Sequence, residues 1–140
     1  LCVDDEDNII GDDRWWENAE TYDVWLDSGP HVIGVYGYDW AGEQTGLLAH
    51  MEISNGDFWM TNGLWHYDSE PNADLQTRLG WCSVGFDDSE WTPAWVYGTW
   101  GTPPWGELPP ELEFSGSNWI WDSRTLENEA QYFRRVIELP

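Results

Sequence analysis

Residues 46–61, GLLAHMEISNGDFWMT, decide the fold class. Asn55-Gly56 is the strongest hairpin signal in the chain, because a two-residue hairpin turn needs positive φ, which Asn and Gly tolerate. Apolar runs flank it at 46–53 and 58–61, so the pair reads as two antiparallel strands. Upstream, residues 31–38 (HVIGVYGY) alternate, setting Val32, Gly34, Tyr36 and Tyr38 against Ile33, Val35 and Gly37. Ser28-Gly29-Pro30 turns the chain before them, and residues 21–26 alternate again, with Tyr22, Val24 and Leu26 on one side. Downstream, residues 91–96, 119–121 and 132–139 complete a set of short candidate strands.

Gly and Pro punctuate the sequence at short intervals, and no stretch keeps a helical period for three turns. Short apolar runs between regular turn signals indicate an all-β protein: an antiparallel two-sheet β-sandwich with little helix. Residues 97–114, YGTWGTPPWGELPPELEF, carry four Pro and three Gly. They are expected to form a Pro/Gly/Trp-rich loop, since Pro cannot donate to a central ladder. The expected organisation is a sandwich body over 1–105, a Pro-rich linker over 106–118, and a terminal strand segment over 119–140. That last segment is expected to belong to the same sandwich or to the next one.

The 140 residues fit one domain, and 41% are hydrophobic, among them 13 Trp, six Tyr and four Phe. Aromatics bury large areas and suit pleated sheets. The 27 acidic residues face only five basic ones, for a formal charge of −22. That sign excludes a nucleic-acid partner, whose affinity rests on phosphate contacts, and disfavours anionic membranes. Two readings of the acidity stay open: a solvated, self-repelling surface, or Ca²⁺ sites, for which Asp4, Asp5, Asp7, Asp87 and Asp88 are the candidates. No run of 18 apolar residues is present, so membrane insertion is not expected. The sequence begins at Leu1 without Met, as a processed product or a segment of a larger polypeptide would.

Three stretches carry a resemblance. Residues 26–52 read LDSGPHVIGVYGYDWAGEQTGLLAHME. Residues 61–67 and 80–94 read TNGLWHY and GWCSVGFDDSEWTPA. Residues 118–140 read NWIWDSRTLENEAQYFRRVIELP. Together they resemble the galactose-binding-like, jelly-roll accessory domains found beside bacterial α-L-rhamnosidases, with W…FDDSxWxxA as the most specific element. The resemblance implies an extracellular or cell-surface, non-catalytic module that binds glycans or neighbouring domains. The FR-containing strand opens such a domain, whereas here it ends the chain. Tyr132, Phe133, Val136, Ile137 and Leu139 are too apolar for a solvated tail. They are therefore expected to fill the first-strand position of a sandwich, in a neighbouring copy or in the same chain. Donation to a neighbour would build a head-to-tail polymer.

No nucleophile with a base, metal-ligand spacing or phosphate-binding loop is present. Among so many carboxylates, Asp4/Asp5, Asp12/Asp13 and Asp87/Asp88 carry no weight as glycosidase acids. The protein is therefore not expected to be an enzyme or to need a cofactor beyond Ca²⁺. In FDDS, Phe86 and Trp91 are placed to pin a turn that Asp87 and Asp88 cap. Trp15, Trp16, Trp40, Trp100 and Trp105 fall in expected loops, where they either stack on sugar rings or pack against the loops or a neighbouring subunit. Cys2 and Cys82 form one disulfide or stay as two buried thiols; in an extracellular chain the disulfide is the expectation.

Overall fold

The computed structural model describes residues 1–11, 16–39, 42, 44–71, 80–122 and 130–140, with the side chain of Glu6 excepted. It is all-β. Strands β1 (Cys2–Val3), β2 (Asp5–Ile9), β3 (Gly29–Tyr38), β6 (His66–Asp68), β7 (Thr92–Pro93) and β10 (Ala130–Leu139) form one sheet, in the order β2-β1-β3-β10-β6-β7. The other strands are β4 (His50–Glu52) with β5 (Phe58–Met60), and β8 (Trp95–Thr99) with β9 (Asn118–Trp121). All pairings are antiparallel.

The two small hairpins are stitched into one layer. Leu47 and Ile120 exchange backbone hydrogen bonds, and Asn118 N–H donates to Thr61 O. The buried Thr61 hydroxyl donates to Asn118 O at 2.7 Å, and Ser117 Oγ donates to Ala49 O at 2.8 Å. These side chains give the irregular joints between strands the polar partners that burial requires. Between this layer and the six-stranded sheet lies the main core of Trp65, Ala94, Ile120, Trp121 and Phe133.

The 46–61 hairpin forms around Gly56 at φ +90°. Asn55 grips the turn: its Oδ1 accepts from Asp57 N–H and its Nδ2 donates to the Asp57 carboxylate. The strand on its upstream side is shorter than expected, because residues 46–49 contribute a bridge and joints rather than a ladder.

Residues 21–26 are not a strand. Val24 is exposed and Trp25 is 99% exposed, so their alternation produces no buried face. Beside β3, at that edge of the sheet, lie β1 and β2 instead. Those strands come from residues 2–9, whose acids read poorly as strand. The exposed Asp5 and Asp7 along β2 also blunt an edge that would otherwise template aggregation. Residues 97–99, expected in the long loop, extend β8. The remainder is an irregular segment with a single 3-10 turn over Pro110–Leu112.

Candidate functional site

β10 is the centre of the large sheet. It pairs with β3 along its full ten residues, from Ala130↔Tyr38 to Leu139↔Gly29. On its other side Tyr132, Phe133 and Arg134 pair with Asp68, Tyr67 and His66 of β6. Among the described residues it is the one strand joining β2-β1-β3 to β6-β7. In this single chain the strand fills its own molecule's slot.

Its two faces differ chemically. Phe133, Ile137 and Leu139 are buried, and Phe133 lies 5.0 Å from the Trp121 ring and 5.9 Å from Tyr67. Arg135, on the same face, donates to Asn62 Oδ1 at 2.8 Å and to Met60 O. No carboxylate among the described residues pairs with it, and burial pushes its guanidinium pKa down. On the opposite face Tyr132 packs against Tyr36 and Trp81, while Val136 is half-exposed.

Arg134 also lies on that opposite face, yet it is fully buried. A flap formed by residues 80–91 covers it. The guanidinium pairs with the Asp88 carboxylate, donates to Ser83 O at 3.0 Å and lies 5.4 Å from the Phe86 ring centroid. A buried guanidinium needs this kind of reception, since an uncompensated charge is costly. The flap is braced by its own contacts. Phe86 meets Trp91 edge-on at 5.7 Å, Asp87 Oδ1 accepts from Ser89 N–H, and Asp88 O accepts from Trp91 N–H. The FDDS and FRR motifs, 46 residues apart between Asp88 and Arg134, therefore meet as one unit.

A second tie holds the flap to β1: Cys2 and Cys82 form a disulfide. Together with Val32 they make a small second core, covered by Trp81 and Val84. Gly34 of β3 lies directly beneath. A Cβ there would come within 2.6–2.8 Å of Trp81 and both disulfide sulfurs, so only glycine lets the flap lie this close. On the other face Gly37 gives the same clearance to Trp121.

The candidate metal ligands do not converge. Asp4 Oδ2 bonds His31 Nδ1 at 2.6 Å and its Oδ1 accepts from Val32 N–H. Asp5 Oδ1 accepts from Asp7 N–H, a local turn contact. Asp87 and Asp88 are engaged in the flap. Among the described residues, no group of three or more His, Cys, Asp or Glu side chains could hold an ion.

Of the loop tryptophans, Trp105 is buried and stacks on Trp119 at 4.4 Å, so it is not a free platform. Trp100 is half-buried, with its indole N–H donating to Pro109 O at 2.8 Å. Trp16 is exposed. Trp15 and Trp40 lie outside the described residues, as do Asp12 and Asp13. Trp16 and Arg135 both border a broad open groove between the layers, together with Ile33, Trp59 and Ile137. The chain matches no family model, no curated protein and no solved structure.

The His31–Asp4 contact gives a pH signature. The hydrogen bond that His31 donates to the Asp4 carboxylate raises the His31 pKa above 6.5, against the opposing effect of burial and with help from the Asp27 carbonyl and nearby charge. A raised folded pKa means the contact stabilises fully below about pH 6.5 and is lost as pH climbs through the folded value. The difference in urea midpoint between wild type and His31→Asn should therefore shrink with rising pH across that window. A difference that stays constant or grows would contradict this account.

Proposed function

We propose that this chain is a non-catalytic, extracellular structural module that assembles with copies of itself by exchanging β10. One observation carries the reading. The strand at the centre of the sheet pairs with β3 along all ten of its residues and with β6 on its other side, and removing it leaves the long edge of β3 and the edge of β6 open together. An open slot of that kind is a template for an identical strand from another molecule. Eight residue steps separate Asp122 from Ala130, a reach of at most about 29 Å when extended. The disulfide suits an oxidising, extracellular setting. Handing the strand on from copy to copy would build an open, head-to-tail polymer.

The test uses two full-length variants, Tyr36→Cys and Tyr132→Cys, unfolded, mixed and refolded together. These residues face each other across β3 and β10, with ring centroids 4.9 Å apart. Exchange predicts a covalent link between the two chains. The off-register mixture of Tyr36→Cys with Val136→Cys should give little. If the matched mixture links no better than the off-register one, β10 stays in its own chain and the proposal fails.

A further inference from the structure

The apolar face of β10 cannot by itself choose a partner. Phe133, Ile137 and Leu139 present a period-two stripe that many strands could offer, and a slip of two residues would keep that stripe facing inward. The opposite face behaves differently. At one position, opposite Gly34, the flap holds a carboxylate, a carbonyl and an aromatic ring around a guanidinium. A slip of two residues in either direction would put Tyr132 or Val136 there and leave Asp88 facing a group that cannot neutralise it.

We infer that the flap of residues 80–91 selects the strand its slot accepts, admitting a strand from a second copy of this chain that brings an arginine opposite Gly34. This rests on the strand-exchange reading above. Two further observations support it. The flap stays with the slot rather than with the incoming strand, because Cys82 is bonded to Cys2 of β1, which pairs with β3. And among the described strands β10 alone can satisfy it: the chain has five Arg and no Lys, and none of the described strands β1 to β9 contains either residue. An acidic receptor on the slot and an arginine that, among the described strands, only β10 carries give a specific match. A wrong strand is rejected by an unpaired charge rather than by weaker apolar contact.

A charge-swapped pair of full-length chains tests this. In Asp88→Arg and in Arg134→Asp, the strand's own slot meets like charge. In a strand-exchanged pair of the two, one junction carries the reversed ion pair and the other the native pair. Refolded together at equal amounts and weighed by native mass spectrometry, the mixture should give mixed assemblies in about tenfold or greater excess over either variant alone. Random mixing, or a yield no better than the separate variants, overturns the inference. If neither variant folds alone, recovery on mixing supports it and failure to recover overturns it. Asp88→Asn provides a milder reading. Placed in both partners of the Tyr36→Cys and Tyr132→Cys mixture, it should erode the preference over a mixture of Tyr36→Cys with Ala130→Cys, the pair that a two-residue slip would bring together. An unchanged preference counts against flap selection. Loss of linking with the native flap would instead refute strand exchange itself.

Discussion

Deleting residues 130–140 should leave a chain that no longer unfolds cooperatively, and adding those eleven residues back as a peptide should restore the native near-ultraviolet signal. The deletion removes Phe133, Ile137 and Leu139, all buried. Each fully buried apolar side chain of this size contributes about 1.5–3 kcal/mol. Their sum, roughly 4.5–9 kcal/mol, is comparable with the whole stability of a typical domain, about 5–15 kcal/mol. It also splits the large sheet into β2-β1-β3 and β6-β7, and leaves Asp88 without Arg134 beneath the flap. The peptide can restore all of this because the slot is lined on one side by ten residues of β3 and on the other by β6. A truncated chain that keeps the wild-type spectrum and melting temperature would show that β10 does not hold the sheet together.

The parts of this fold that could be read from the sequence are those set by neighbours along the chain. Asn55-Gly56 fixes its own turn through local φ preferences and Asx hydrogen bonds, so the β4–β5 hairpin was legible. So in part was the FDDS turn, where Phe86 and Trp91 pin a segment that Asp87 caps; Asp88, expected to cap it as well, turns its carboxylate to Arg134 instead. The two-sided apolar character of 132–139 was legible too, with Phe133 and Ile137 on one face and Tyr132 and Val136 on the other. What the sequence could not disclose was pairing across distance. Residues 21–26 alternate as well as any strand here, yet strand formation needs a partner edge, and β1 and β2 hold it. β1 is only two residues long and β2 is acidic, and they form because a disulfide and the Asp4 contacts to His31 and Val32 hold β1 against β3, with β2 paired on β1. The Arg134–Asp88 pair was the site feature that sequence reasoning missed. One signal could have pointed to it: in a chain with so few cations, an arginine on the face of a buried strand must be matched by an acid brought from elsewhere.

Replacing Cys2 and Cys82 together by Ser should lower stability by about 4.5 kcal/mol, the chain-entropy value for a closed loop spanning 80 residues. Few single changes reach that size. The bridge does more than shorten the unfolded chain. It clamps the flap over Val32 and Gly34, and the flap in turn holds Arg134. The effect of the double Ser variant should therefore not add to that of Asp88→Asn. Once the flap has lost its anchor on β1, removing the Asp88 charge should cost less than it does in the bridged protein, because part of the flap's grip on Arg134 is already gone. Urea unfolding of the wild type, the double Ser variant, Asp88→Asn and their combination gives this coupling directly, and residues in one network commonly show 0.5–3 kcal/mol of it. Strict additivity would mean that the disulfide and the ion pair act independently. The flap would then be two separate attachments that happen to share a loop, rather than one clamp on the last strand.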